Sequence, residues 1–191
     1  MMIEILCDNF LKIISKKDYI PGGVNIKVAF IDRDGTLNKD YEDKEWSNIN
    51  WPEILPGTIE GLRYLKEKGY NFIIITNQYI IEEGYITYSS FEIFNKRLIT
   101  ILAKNEIDIL DTFFCPHRRD VHCDCHKPSP GLILQALNKY KEIDLNDAIL
   151  IGNSPEDLEL AMKFNLPFYG VNIPCKNSLK NLGEIRKFLR N

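Results

Sequence analysis

Short apolar runs alternate with longer amphipathic stretches along most of this 191-residue chain. Runs at 26–31, 72–75, 109–114, 148–151 and 168–171 are too short for buried helices and rich in Ile, Val and Phe, so they read as strands buried on both faces. Helical patterns lie between them at 58–68, 89–104 and about 129–140. Gly69 stops the first. Ser129 and Pro130 read as N-cap and first helical position of the third, and Ser154-Pro155-Glu156-Asp157 has capping-box spacing. A polar helix is expected near 178–190. This alternation predicts an α/β fold with a mainly parallel sheet, whose ligand crevice lies at the carboxyl ends of the strands. Asp32, Thr76 and Asn153 each follow an apolar run directly, so the fold delivers all three to one edge.

Upstream, Ile3, Leu6, Phe10 and Ile13 fall at helical spacing before Pro21-Gly22-Gly23. Residues 1–25 therefore read as a helical extension that packs on the domain or offers a partner surface, and 26–191 as one domain. The length does not require a second. A net charge of −3 without a Lys/Arg block argues against a nucleic-acid partner. No apolar run reaches the roughly 18 residues of a membrane span. The N-terminus carries Glu4 and Asp8 before any lysine and lacks a cleavage-site pattern, so a cytoplasmic protein is expected. A monomer or weak dimer acting on a small molecule fits these properties.

Asp32 and Asp34 stand two apart after the first strand, followed by Gly35. One carboxylate can attack phosphorus while the other transfers the proton, and both are hard donors suited to Mg²⁺. Gly35 permits a sharp turn that brings backbone N–H groups near a phosphate. The plain alternative is an Asp-Gly turn with solvated acids. In Thr76-Asn77-Gln78, the hydroxyl and amides can hold phosphoryl oxygens, and Asn77 can position the general acid. Lys127 can neutralise phosphate charge in the transition state. Asn153 and Asp157 can complete a magnesium shell, with Asp157 equally readable as part of a helix cap.

All three histidines and three of the five cysteines fall between Cys115 and His126. Cys115-x-His117 and Cys123-x-Cys125 form two clips about a short loop, a set suited to structural zinc. A redox pair or a fortuitous cluster is the alternative. His122 and His126 each abut a cysteine, and adjacent side chains rarely converge on one ion.

With DRDGTLN at 32–38, LPG at 55–57, TNQ at 76–78, CPH and CDCHKPSPG within 115–131, and IGNSPED at 151–157, the chain resembles haloacid-dehalogenase phosphatases. Within them it is similar to D-glycero-D-manno-heptose 1,7-bisphosphate 7-phosphatases and the related histidinol-phosphatases. The resemblance spans about 26–175, and the metal loop running into Lys-Pro is its specific part. It implies a three-layer Rossmann-like fold without a large cap domain, so that 39–54 and the metal loop wall the pocket. It implies Asp32 as nucleophile through an aspartyl-phosphate, and Asp34 as general acid–base that also ligates Mg²⁺ through its backbone carbonyl. Thr76 and Lys127 would stabilise the phosphoryl group. Arg33, Asn77, Gln78 and His126 would bind substrate. Mg²⁺ would be held by Asp32, Asp34, Asn153 and Asp157, and Zn²⁺ by Cys115, His117, Cys123 and Cys125. The implied reaction is hydrolysis of a sugar phosphate, a heptose bisphosphate of lipopolysaccharide synthesis first and histidinol phosphate second. Three positions depart from the family pattern. Asn153 replaces an Asp, which predicts weaker magnesium binding. His126 replaces an Arg, and Ile80 stands near a usual Gly. Asn153 also leaves room for a catalytically weakened, zinc-stapled binding protein.

Overall fold

The computed structural model describes residues 25–189. The expected N-terminal helix lies outside them. Five strands, β1 (Lys27–Ile31), β2 (Tyr70–Asn77), β3 (Ile109–Cys115), β4 (Ile149–Gly152) and β5 (Phe168–Val171), match the apolar runs of the sequence. A short sixth, β6 (Ser178–Leu179), joins the edge. All pair in parallel, in the order β3-β2-β1-β4-β5-β6.

Four α-helices flank this sheet: α1 (Thr58–Glu67), α2 (Tyr88–Lys104), α3 (Gly131–Lys139) and α4 (Pro155–Lys163). Alternate residues of β1 supply the two cores, as the period of two in a strand requires. Ala29 and Ile31 pack with Leu62 and Leu65 of α1 and Leu98 and Leu102 of α2. Val28 and Phe30 pack with Leu132, Ile133 and Ala136 of α3 and Leu160 and Ala161 of α4. Each such Leu or Ile, fully removed from water, contributes about 1.5–3 kcal/mol. The result is the expected three-layer α/β/α fold, with no separate cap among the described residues. None of the helices is long and apolar enough to cross a membrane.

Two local expectations shift. The segment near 178–190 forms β6 and a 3₁₀ turn at Leu182–Lys187 rather than a helix. Leu179, Leu182 and Ile185 are drawn into the core beside α1, and Gly183 weakens helical propensity between them. The third helix starts at Gly131, with Pro130 rather than Ser129 in the cap position. There the Gly131 N–H donates to the Asp124 carbonyl, and a Cβ at 131 would lie 2.3 Å from that oxygen. The loop before α3 therefore lies directly on the helix start.

β1 is central, with β2 on one side and β4 on the other. The crevice of an open parallel sheet forms at such a switch point. The carboxyl ends of β1, β2 and β4 present Asp32, Thr76 and Asn153, and the end of β3 presents Cys115.

Candidate active site

Asp32 leaves β1 with its N–H donating to Ile151 O of β4. The turn that follows needs Gly35, whose φ is +79° and whose place a Cβ could not share with Asn153, 2.1 Å away. The same turn brings Thr36 back, its hydroxyl 3.3 Å from Asp32 Oδ2.

Lys127 is buried at the centre of the site. Its ammonium donates to Asp32 Oδ1 and Asp157 Oδ1, both at 2.6 Å, and to Ile75 O at 3.1 Å. Burial alone would lower its pKa, but Asp157 and Asp32 outweigh that and hold the ammonium charged. Burial, helped by Asp157 and Asp34 and opposed by Lys127, leaves the Asp32 carboxyl raised to about 7. Asn77 fixes the lysine's backbone from both sides, accepting from Lys127 N at 2.8 Å and donating to Lys127 O at 3.1 Å.

The contacts of Asp157 are those of the helix cap. Oδ2 accepts from the backbone N–H groups of Asn153 and Ser154 and from the Ser154 hydroxyl, which in turn accepts from Asp157 N. This is a closed capping box, and Oδ1 is taken by Lys127. Both oxygens are committed, so Asp157 is not placed as a magnesium ligand. Gly152 makes the arrangement possible, since a Cβ there would meet the carboxylate at 2.4 Å.

The expected substrate-binding role of Arg33 also does not match its placement. The side chain is 1% exposed, enclosed by Trp46, Phe91 and Phe94, and does not line the active cavity. Its guanidinium clamps the Asp34 carboxylate through Nε at 3.0 Å and Nη2 at 2.8 Å. Gln78 accepts from Arg33 at 2.8 Å and donates to Asp34 Oδ2 at 2.8 Å and Thr76 Oγ1 at 2.9 Å. Asn38 donates to Asp34 Oδ1 at 2.8 Å. Arg33 thus holds the Asp34 carboxylate from outside the cavity, whereas Gln78, which also bonds Asp34, and Asn77, which fixes the Lys127 backbone, both line it.

Three oxygens converge beside Asp32. The Asn153 side-chain amide lies against Asp32 Oδ2 at 3.1 Å and Asp34 O at 3.2 Å, and in its better-bonded orientation its NH₂ donates to both. Ligands at roughly 2.0–2.1 Å around an octahedral magnesium are about 3 Å from their neighbours. A half-turn of the amide brings its oxygen to the same place, and in that orientation the three oxygens have the spacing the ion needs.

The cysteine-histidine loop gathers its side chains around one point. The four candidate ligand atoms of Cys115, His117, Cys123 and Cys125 lie within 4.8 Å of one another. Individual separations are 3.4 Å for Cys115–His117 and 3.1 Å for His117–Cys125, and 3.6 Å for Cys115–Cys123 and 3.8 Å for Cys125–Cys123. Tetrahedral zinc places sulfurs about 3.8 Å apart, and sulfur and nitrogen about 3.5 Å apart. Burial pushes the Cys115 thiol up, so a thiolate there needs the charge that zinc supplies. His117 offers Nδ1, while His122 and His126 are not in the set.

A cavity of about 340 Å³ covers Asp32, Asp34, Thr76, Lys127 and Asn153. Asp40 and Trp46 from segment 39–54 and Arg119 and His126 from the metal loop help to wall it, as does a third contributor, Tyr79 and Ile80. Burial lowers the His126 pKa, with Lys127 adding to the effect. Arg119 and Glu156 were not singled out from sequence, because charged residues in loops and first helical turns ordinarily serve only solvation or the helix dipole. The pair Arg118-Arg119 inside the metal loop was the available signal.

Comparison with known proteins extends this picture. Residues 27–168 match the family model described as polynucleotide kinase 3 phosphatase. The D-glycero-alpha-D-manno-heptose-1,7-bisphosphate 7-phosphatase of Photorhabdus laumondii is 38% identical over 149 residues, covering 74% of this chain and 80% of that protein. The D-glycero-beta-D-manno-heptose-1,7-bisphosphate 7-phosphatase of Escherichia coli K12 is 33% identical over 150 residues, covering 74% and 76%. In fold the chain is similar to the D,D-heptose 1,7-bisphosphate phosphatase of B. bronchiseptica crystallised with magnesium and phosphate. That match has a TM-score of 0.73 at 22% identity and covers 86% of this chain and 98% of that one.

Proposed function

The chain belongs to the D-glycero-D-manno-heptose-1,7-bisphosphate 7-phosphatase family of haloacid-dehalogenase phosphatases, and from that premise we propose that it hydrolyses the 7-phosphate of a heptose 1,7-bisphosphate with Asp32 as nucleophile. The observation that carries the reading is the pairing of Asp32 Oδ1 with the Lys127 ammonium, while Oδ2 faces the Asp34 carbonyl and the Asn153 amide.

Asp32 Oδ1, held beside the Lys127 ammonium, forms a bond to phosphorus while the bond from phosphorus to the sugar oxygen breaks. The departing oxygen takes a proton that Asp34 carries into this step, one of the four hydrogen bonds that its carboxylate accepts from Arg33, Gln78 and Asn38 giving way to that proton. Asp34, now a carboxylate, accepts a proton from water as that water attacks the aspartyl-phosphate. Phosphate leaves and the Asp32 carboxylate is restored. The Thr76 hydroxyl, fixed by Gln78, and Lys127 offset charge on the phosphoryl oxygens. Magnesium, when held by Asp32, the Asp34 carbonyl and Asn153, supplies further neutralisation of that charge. Zinc on Cys115, His117, Cys123 and Cys125 has four protein ligands, which suits a structural role.

The test is phosphate release from heptose 1,7-bisphosphate, histidinol phosphate and an aryl phosphate over a magnesium titration. Fastest turnover of the heptose supports the reading, and preference for histidinol phosphate would move the assignment to that relative. A second reading, a catalytically weakened zinc-stapled binding protein, is favoured by Asn153, which brings no charge to the metal set. No turnover on any substrate at high magnesium would select it.

A further inference from the structure

Asp32 Oδ2 and the Asp34 carbonyl oxygen lie 3.1 Å and 3.2 Å from the same atom of the Asn153 amide. Two acceptors so placed need either a cation or a hydrogen between them. An amide can meet both needs, because its NH₂ donates and its oxygen accepts. With the NH₂ turned inward, its hydrogens lie within reach of Asp32 Oδ2, Asp34 O and, at 3.2 Å, Thr36 Oγ1. With the oxygen turned inward, the Thr36 hydroxyl donates to it at 3.2 Å. Thr36 also reaches Asp32 Oδ2 at 3.3 Å, so its rotating hydroxyl suits either orientation. The backbone at 153 does not need to move between them. Its N–H donates to Asp157 Oδ2 within the helix cap, and Gly35 leaves space for the outer atom of the amide, which a Cβ at 35 would crowd to 2.1 Å.

The two orientations exclude each other at the cation site. An inward NH₂ sets hydrogen against two of the oxygens that magnesium would use. It also ties Asp32 Oδ2 while Lys127 holds Oδ1. An inward oxygen completes the set of three. An aspartate at 153 has no such choice, because its carboxylate would set a third acceptor against two others and rely on the cation alone. We propose that Asn153 is a two-position switch: its NH₂ stands in for the cation and locks Asp32 to the Asp34 carbonyl, and magnesium binding drives a half-turn of the amide that releases the lock. Cation affinity is thereby lowered by the hydrogen bonds that must break as well as by the missing charge, while the site stays stable without the cation. The proposal rests on the cation site of the phosphatase reading above and adds how this chain operates it.

The test follows the Asn153 side-chain NH₂ by NMR in the isotope-labelled full chain, assigned as the NH₂ pair that is lost in Asn153→Asp. In magnesium-free buffer the pair is expected to exchange with water about tenfold or more slowly than exposed asparagine side chains. Saturating magnesium, read from the Gly35 backbone amide, should shift the pair as its bonds to Asp32 and Asp34 are lost. A pair that exchanges as fast as exposed amides from the start, or one that stays fixed while Gly35 reports saturation, would overturn the switch. Thermal melts give an independent reading. Without magnesium, Asn153→Asp should melt below the wild type, since no donor separates the three oxygens, and saturating magnesium should close or reverse that gap. A variant at least as stable as the wild type without magnesium contradicts the lock. Phosphate release is measured in parallel on the same protein. Magnesium-dependent turnover with an immobile amide sinks the switch alone, whereas loss of every magnesium effect, in turnover and in the spectrum, removes the cation site of the phosphatase reading along with it.

Discussion

Asp32 shows how much one residue's neighbours decide. Its place at the end of an apolar run already marked it as a strand-end carboxylate, but Lys127 lies 95 residues away and meets it only through the fold. Asp32→Asn is expected to lower phosphate release by about a thousandfold or more, since the amide is a poor nucleophile. Asn153→Asp should lower the magnesium concentration for half-maximal activity, because it adds a negative charge to the oxygen set. An unchanged magnesium requirement would remove Asn153 from that set. For Asp157 the sequence carried a true ambiguity, because an acid in the first turn of a helix can cap it or face a ligand. Lys127 resolved it by taking one oxygen while the capping box took the other. Asp157→Ala should therefore cost stability, about 3–5 kcal/mol for leaving a buried charge short of its partner and about 1 kcal/mol for the lost cap. Denaturant titration reads this directly.

At the scale of elements, the metal loop, segment 39–54 and the pair Tyr79-Ile80 act together as the cavity wall. Cys115 ends β3, and the loop returns to α3 through the close contact of Asp124 with Gly131. Elemental analysis of untreated protein should find about one equivalent of zinc. Cys123→Ser should abolish it and lower the melting temperature, while an equal zinc content in that variant would exclude Cys123 as a ligand. Arg119 of the metal loop pairs with Glu83 and Asp43, and this clasp between loops has its own pH dependence. Hydrogen bonds from Arg119 hold the Glu83 pKa below its ordinary value of 4.5. A carboxylate depressed on folding stabilises the fold above its unfolded pKa, and that contribution fades as the pH falls from about 4.5 through the lower folded value. Between pH 5 and 3.5 the wild type should lose more stability than Glu83→Gln, as thermal melts across that range would show. The ligand clips were legible in the sequence because spacing alone dictates them. The clasp was not, because Asp43, Glu83 and Arg119 belong to three loops with no local pattern.

For the molecule as a whole, magnesium bound to the folded state and not to the unfolded chain must stabilise it, by about 2.7 kcal/mol at a hundredfold excess over Kd. The melting temperature is expected to rise with magnesium, and at equal concentration to rise more for Asn153→Asp. No rise in either protein would contradict a cation site formed by Asp32, Asp34 and position 153. The sequence by itself determined the layered α/β architecture, since strands of four to eight residues with apolar side chains on both faces can be covered only by helices on both sides. It also placed the reactive groups at one edge, because each polar motif follows a strand directly. Tertiary structure alone decided what each group does there. Arg33 turned inward to aim Asp34, Asp157 was spent on Lys127 and a cap, residues 178–187 gave up a helix to fill the core, and Arg119 came to the rim. These outcomes depend on competition for partners between residues far apart in the chain, and local propensity carries no record of that competition.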